Sequence, residues 1–159
     1  MKNPKTIVHD FHRDKRGDLW TIWNKNEKIT NDIIFNHDKV SVSKKNVLRG
    51  IHGDFKSWKL ISCIYGKIFF VIVDNRNKSP NYLKYKSMIL DWKKKKSILI
   101  PPGFGNGFYV ESDICVFHYK WSYKGKYPDV DKQFTLKWDD SNINIKWPCK
   151  NPILQKRDK

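Results

Sequence analysis

The sequence predicts an all-β domain, and three observations carry that expectation. The 159-residue chain has no Ala and only two Glu, so strong helix formers are scarce. Ile, Val, Phe, Tyr and Trp are plentiful, and they suit a pleated, half-buried surface. Short apolar runs recur between turn residues at the spacing of a sandwich or barrel. In chain order the runs Leu19–Trp23, Ile33–Val42, Leu60–Tyr65 and Ile68–Val73 read as the first strands. Tyr82–Leu90, Ser97–Ile100, Phe108–Val110, Ile114–Lys120 and Phe134–Trp138 follow, giving about nine strands. Between the third and fourth, Gly66-Lys67 is a two-residue link with Gly first, as a type II′ hairpin prefers. Lys93–Lys96 falls between two strands and reads as a solvated loop. Pro101-Pro102-Gly103 ends one strand in a rigid turn, after which a strand resumes towards Phe108.

At 19.0 kDa and 39% hydrophobic residues the chain is a single domain over residues 1–159, able to bury roughly two thirds of its unfolded surface. No linker, repeat or low-complexity tract divides it. No apolar run approaches a membrane span of about 18 to 20 residues, and MKNPKTIVHD lacks the apolar stretch of a signal peptide. A cytoplasmic protein with no membrane partner is expected. Cys63, Cys115 and Cys149 are odd in number, widely spaced and form no C-x-x-C pair, which argues against a disulfide framework and a cysteine zinc site.

Net charge is +16, from 32 basic and 16 acidic residues, which favours an anionic partner: nucleic acid, a membrane surface or a phosphorylated small molecule. Only five of the basic residues are Arg, the residue whose fork reads bases and phosphates, so much of the charge reads as a solvated Lys surface.

Chemistry starts at Leu48-Arg49-Gly50-Ile51-His52-Gly53-Asp54. A His between glycines at a turn is poorly placed to fill a core, whereas glycines there suit close approach of a ligand. Both a structural and a catalytic His52 remain open on these residues alone. Lys59 begins an apolar strand, where its side chain points either to solvent or into a cavity.

Taken together, the segments resemble a known family. The blocks Phe11…Asp14-Lys15-Arg16-Gly17, Ser43-Lys44-Lys45-Asn46-Val47-Leu48-Arg49-Gly50-Ile51-His52, Val73-Asp74-Asn75-Arg76…Ser79-Pro80 and Ile100-Pro101-Pro102-Gly103-Phe104 look like those of the nucleotide-sugar 3,5-epimerases typified by dTDP-4-dehydrorhamnose 3,5-epimerase. Tyr119-Lys120, Trp138-Asp139-Asp140 and Trp147-Pro148 continue the match in the family's order. The spellings at 49–54, 103–106 and 123–127 look more like the branch acting on GDP-linked 4-keto-6-deoxy-heptoses for capsular polysaccharide. The resemblance implies a cupin-type double-stranded β-helix, or jelly roll, a homodimer, and a site inside the barrel. It implies no cofactor and a nucleotide-diphosphate 4-keto sugar, GDP- or dTDP-linked, as the bound partner.

Metal-binding cupins place His-x-His and a Glu on one strand pair and a further His after the Pro-x-Gly turn. Here His52 is followed two residues later by Asp54, no Glu lies between 28 and 110, and the later His position is Asn106. A metal site is therefore not expected.

Inversion beside a ketone needs a base on one face, a stabiliser for the enolate oxygen and an acid on the other face. By resemblance, His52 is the base, Asp158 the carboxylate that orients it, Tyr119 the acid and Lys59 the cation near the C4 oxygen. Arg49, Arg16 and Asn106 match substrate-contacting positions, with Arg16 suited to the nucleotide phosphates. Asp158 is the penultimate residue, and chain termini tend to fray. The stretch between Tyr119 and Trp138 is longer than in the rhamnose-pathway members, which leaves room for Tyr123 or Tyr127 to intrude.

Departures from the family fall at Thr21, His37, Lys39 and Asn106, which stand where the family has Glu, Gln, Asn and His. The resemblance implies inversion at C3 and/or C5; losing the imidazole at Asn106 leans towards C3 with C5 slow or absent, whereas both centres invert if the amide simply replaces the hydrogen bond. Two other readings compete: a sugar 3,4-ketoisomerase of the same fold, and a basic nucleic-acid-binding β-barrel with a stacking platform at Trp121–Tyr127.

Overall fold

The computed structural model describes residues 2–123 and 132–159. Twelve strands run through them: β1 (Lys5–Val8), β2 (Phe11–Asp14), β3 (Gly17–Trp20), β4 (His37–Lys44), β5 (Leu48–Gly53) and β6 (Lys59–Tyr65). β7 (Lys67–Asp74), β8 (Tyr85–Asp91), β9 (Lys96–Ile100), β10 (Phe104–Val110), β11 (Ile114–Trp121) and β12 (Phe134–Thr135) complete them. There is no α-helix among the described residues, as the shortage of helix formers predicts.

Two antiparallel five-stranded sheets face each other, one in the order β1-β9-β6-β11-β4 and the other β12-β5-β10-β7-β8. From β4 to β7 successive strands pass from one sheet to the other, which is the winding of a jelly roll. The interior is filled from both sides, by Ile61, Ile98 and Phe117 of the first sheet and Phe70, Leu90 and Phe108 of the second. Phe108 and Phe117 stack with centroids 4.5 Å apart, and Phe117 meets Tyr119 edge-on at 4.6 Å. This aromatic row fixes the inner end of β11 and with it the direction of Tyr119.

Residues 136–147 cover the outside of the second sheet, where Ile143 packs with Ile51, Val71 and Val73. β7 is thereby buried on both faces, which explains its unbroken run Ile68-Phe69-Phe70-Val71-Ile72-Val73.

Three expectations need correction. Gly66 does take a positive φ of 87°, but β6 and β7 enter opposite sheets and do not pair, so the link is a corner between sheets rather than a hairpin. The Lys93–Lys96 run is not uniformly solvated. Lys95 is buried, with its ammonium 2.9 Å from Asp18 and 4.3 and 4.4 Å from the Trp20 and Trp92 ring centroids. It fastens the otherwise separate β2–β3 hairpin to the body of the molecule. Finally, the His52 segment is strand β5, not a turn. Gly50, at φ 112°, is required because a Cβ there would stand 2.6 Å from the Asn106 carbonyl oxygen of neighbouring β10.

Candidate active site

β5 supplies one wall of a cavity of about 270 Å³ between the sheets. Arg49 and His52 are three residues apart and would face opposite sides of a regular strand. The register of β5 against β10 shifts between the pairs Asn106–His52 and Phe108–Arg49, and both side chains line the cavity. Arg49 Nε donates to Ser43 Oγ at 2.9 Å, which holds its guanidinium beside β4.

The chain terminus completes this wall. Ile153 N donates to the Asn46 carbonyl and Leu48 N donates to the Ile153 carbonyl, so the tail is tied to the start of β5. A single 3-10 turn, Lys156–Asp158, then brings Asp158 to His52. Asp158 Oδ1 lies 2.7 Å from His52 Nε2, with the carboxylate side chain fully buried and the imidazole 19% exposed. The approach misses the geometry of a hydrogen bond to Nε2, so the two groups are in close contact without one in this conformation. Gln155 Nε2 donates to the same Asp158 oxygen at 3.3 Å. Far from fraying, Asp158 is among the most buried charges of the described residues.

The opposite wall comes from the first sheet. Lys59, 3% exposed, donates to the His52 carbonyl and to Asn106 Oδ1, both at 3.2 Å, so its side chain points into the cavity and not to solvent. Desolvation lowers its ammonium to about 8, against the opposing pull of Asp54, with Arg157 and Lys39 lowering it further. Tyr119 lines the cavity from β11, and burial pushes its phenol up to about 12, moderated by the Ser41 hydroxyl. Trp121, 7% exposed, lies beneath both Lys39 and Lys59. Buried in this way, it cannot serve as a nucleic-acid stacking platform.

No three of His, Cys, Asp and Glu gather as a metal site among the described residues. Asp54, at the cupin ligand position, instead accepts the Lys56 and Ser57 amides and shapes the turn after β5. Cys63, Cys115 and Cys149 are free thiols.

An imidazole with its carboxylate on one wall, and a phenol and an ammonium on the other, is an arrangement able to move protons at two faces of a carbon acid. The family profile of dTDP-4-dehydrorhamnose 3,5-epimerase matches residues 1–159. The chain belongs to this epimerase family. The dTDP-4-dehydrorhamnose 3,5-epimerase of Shigella flexneri is 36% identical over 91% of this chain and 82% of its own length. A dTDP-4-dehydrorhamnose 3-epimerase of Streptomyces niveus is 33% identical over 75% of this chain and 58% of its own. The crystal structure of the Legionella pneumophila 3,5-epimerase in complex with dTDP-4-keto-L-rhamnose superposes with a TM-score of 0.88 at 31% identity. It covers 98% of this chain and 84% of that one. Membership makes the protein an isomerase, the class the sequence reading favoured over a nucleic-acid-binding barrel.

Of the residues singled out from this epimerase sequence, His52, Lys59, Tyr119, Asp158, Arg49 and Asn106 converge. Arg16 does not: it sits in the β2–β3 turn, paired with Asp14 at 2.6 Å, with its side chain 83% exposed. Tyr123 packs against His37 and does not line the cavity, while Tyr127 lies outside the described residues. Sequence reasoning missed Gln133, Gln155 and Arg157 as lining residues. Arg157 Nε donates to Thr135 Oγ1 at 3.0 Å, clasping the tail to β12. No local pattern in a polar tail signals that it folds back onto a strand more than a hundred positions earlier; only the family resemblance pointed Asp158 at His52.

Proposed function

We propose that the protein inverts C3 of a nucleotide-diphosphate 4-keto-6-deoxy sugar, with C5 slow or untouched, in the cytoplasm and for surface polysaccharide synthesis. The observation that carries this reading is that His52, backed by Asp158 of the tail, lines one wall of the cavity while Tyr119 and Lys59 line the other.

His52 Nε2 faces Asp158, so Nδ1 is the nitrogen left to take the proton from the carbon next to the ketone. The C–H electron pair becomes the enolate, whose oxygen is stabilised by the Lys59 ammonium in a site shielded from water. Asp158 stabilises the imidazolium as it forms. Tyr119, held protonated by burial, returns a proton from the opposite wall, and the centre is inverted. Arg49 binds the sugar or its diphosphate, and Asn106, in place of an imidazole, favours inversion at C3 alone. The name of the Streptomyces niveus 3-epimerase is in keeping with that restriction. The chemistry needs no cofactor or metal.

Arg16 acts on nucleotide phosphates in this reading, and its outward position fits a homodimer in which it reaches the neighbouring subunit's site. The names of relatives favour dTDP as the carrier, whereas the motif spelling at 49–54 and 103–106 favours GDP-linked heptose substrates and capsule synthesis.

The test is incubation with dTDP-, GDP- and CDP-4-keto-6-deoxy sugars in deuterated water, followed by NMR. Deuterium at C3 with an inverted sugar is expected, and His52→Asn should lower the exchange by about 100- to 10,000-fold. Rapid label at both C3 and C5 overturns the restriction to C3. A 3-keto product would assign a ketoisomerase instead, and undiminished exchange in His52→Asn removes it as the base.

A further inference from the structure

Lys59 is a buried cation whose surroundings are unusually specific. An ammonium has three N–H donors and no acceptor. Two of the donors are engaged, by the His52 carbonyl and by Asn106 Oδ1, each at 3.2 Å. The amide orientation at Asn106 follows from chemistry, because only its oxygen can face an ammonium. Asn106 is itself buried and lies opposite His52 in the β5–β10 register. One cross-strand pair therefore holds the base and the cation at a fixed separation.

We propose that Asn106 is a positioning residue for Lys59: together with the His52 carbonyl it fixes two of the three ammonium donors and leaves the third for an oxygen entering the cavity. The inference rests on the epimerase reading for the identity of that oxygen, the sugar C4 carbonyl, and assigns Asn106 to the ammonium rather than to the sugar.

The groups facing Lys59 are mixed in sign. Asp54, after β5, favours its charged form, whereas Lys39 of β4 and Arg157 of the tail oppose it, and burial opposes it most. His52 of β5 presents its carbonyl, and Trp121 of β11 its ring, to the same ammonium. With desolvation dominant, a neutral acceptor such as Asn106 is what keeps the charge in place. A carboxylate there would hold it more tightly and compete with the enolate.

The decisive measurement is made on the ligand-free full chain, so it stands apart from the epimerase assay. Lysine side chains labelled with carbon-13 and nitrogen-15 are titrated by NMR, and the Lys59 signal is assigned by its absence from Lys59→Met. In Asn106→Asp the Lys59 midpoint should rise by about one pH unit, and in Asn106→Ala it should fall. Opposite shifts in the two variants are the signature, since loss of packing alone would not change sign. If Asn106→Ala does not fold, the near-isosteric Asn106→Asp decides. A Lys59 midpoint that stays put in the folded variants overturns the proposal. With a turned-over keto sugar, Asn106→Ala should lower kcat by about 10- to 100-fold with KM little changed. A raised KM with an unmoved Lys59 midpoint would make Asn106 a sugar contact and overturn it too. If no keto sugar reacts with any variant, the epimerase reading fails while the NMR titration still decides the role of Asn106.

Discussion

Burial brings the Lys59 ammonium from the ordinary 10.5 down to about 8, and activity and stability then respond to pH with opposite signs. Between those two values the unfolded chain carries more protons than the folded one, so the contribution of this group to stability rises with pH. Below about 8 both states are charged, and the desolvation penalty on the folded state is fully present. In the proposed mechanism activity needs the charged form. The rate should therefore fall above pH about 8 while this residue's contribution to stability grows, and a pH series of kcat alongside urea melts of the wild type and Lys59→Met checks both slopes. Tyr119 makes a second prediction at this scale. Its phenol, pushed up to about 12, stays loaded with a proton through neutral pH. Tyr119→Phe should slow formation of inverted product more than it slows solvent exchange, giving deuterium incorporation with retained configuration. Equal losses in both steps would make Tyr119 a positioning group, and an effect from Tyr123→Phe alone would make it the wrong tyrosine.

The C-terminal tail is the element whose contribution to chemistry and to stability can be separated. Its anchor is Ile153, bonded to Asn46 and Leu48, while the part that meets His52 lies beyond it, in Asp158 and the Gln155 that donates to it. A chain ended after Leu154 keeps the anchor and the apolar layer of Ile143 and Trp147 over the second sheet. It should melt close to the full chain yet lose about 100-fold or more in kcat, because His52 would lose the carboxylate that stabilises its imidazolium. Thermal melts and exchange rates on the same preparation measure the two effects. A large fall in melting temperature would mean that the last turn is structural. β5 illustrates the same separation from the other side. Its glycines hide a strand from propensity, yet the close packing of Gly50 on β10 lets Arg49 and His52 share one face.

At the scale of the whole molecule, a net charge of +16 and a cavity walled by Lys39, Arg49, Lys59 and Arg157 suit a diphosphate-bearing substrate. The homodimer reading makes a sharper prediction than the charge does. If Arg16 serves the neighbouring subunit, mixing Arg16→Ala and His52→Asn proteins should restore activity, since each mixed dimer holds one site with both residues intact. Sedimentation of the mixture shows whether dimers form. Dimers without recovered activity would return Arg16 to its local pairing with Asp14.

The fold class, the order of the later strands and the residue types of the site were legible in the chain itself. Ala scarcity, apolar runs and motif spacing are local properties, legible without coordinates. Sequence reasoning misread β5 as a turn and the Gly66 link as a hairpin, because glycine reports conformational freedom and not the partner that demands it. The folded chain settled that Asp158 is ordered and buried against His52, as the resemblance implied, that Lys59 points inward onto Asn106, that Lys95 is caged rather than solvated, and that Arg16 stands away from its own cavity. Each is a contact between residues distant in sequence. Whether a charge is exposed or desolvated depends on what the rest of the chain places around it, and that is set only when the two sheets and the tail close together.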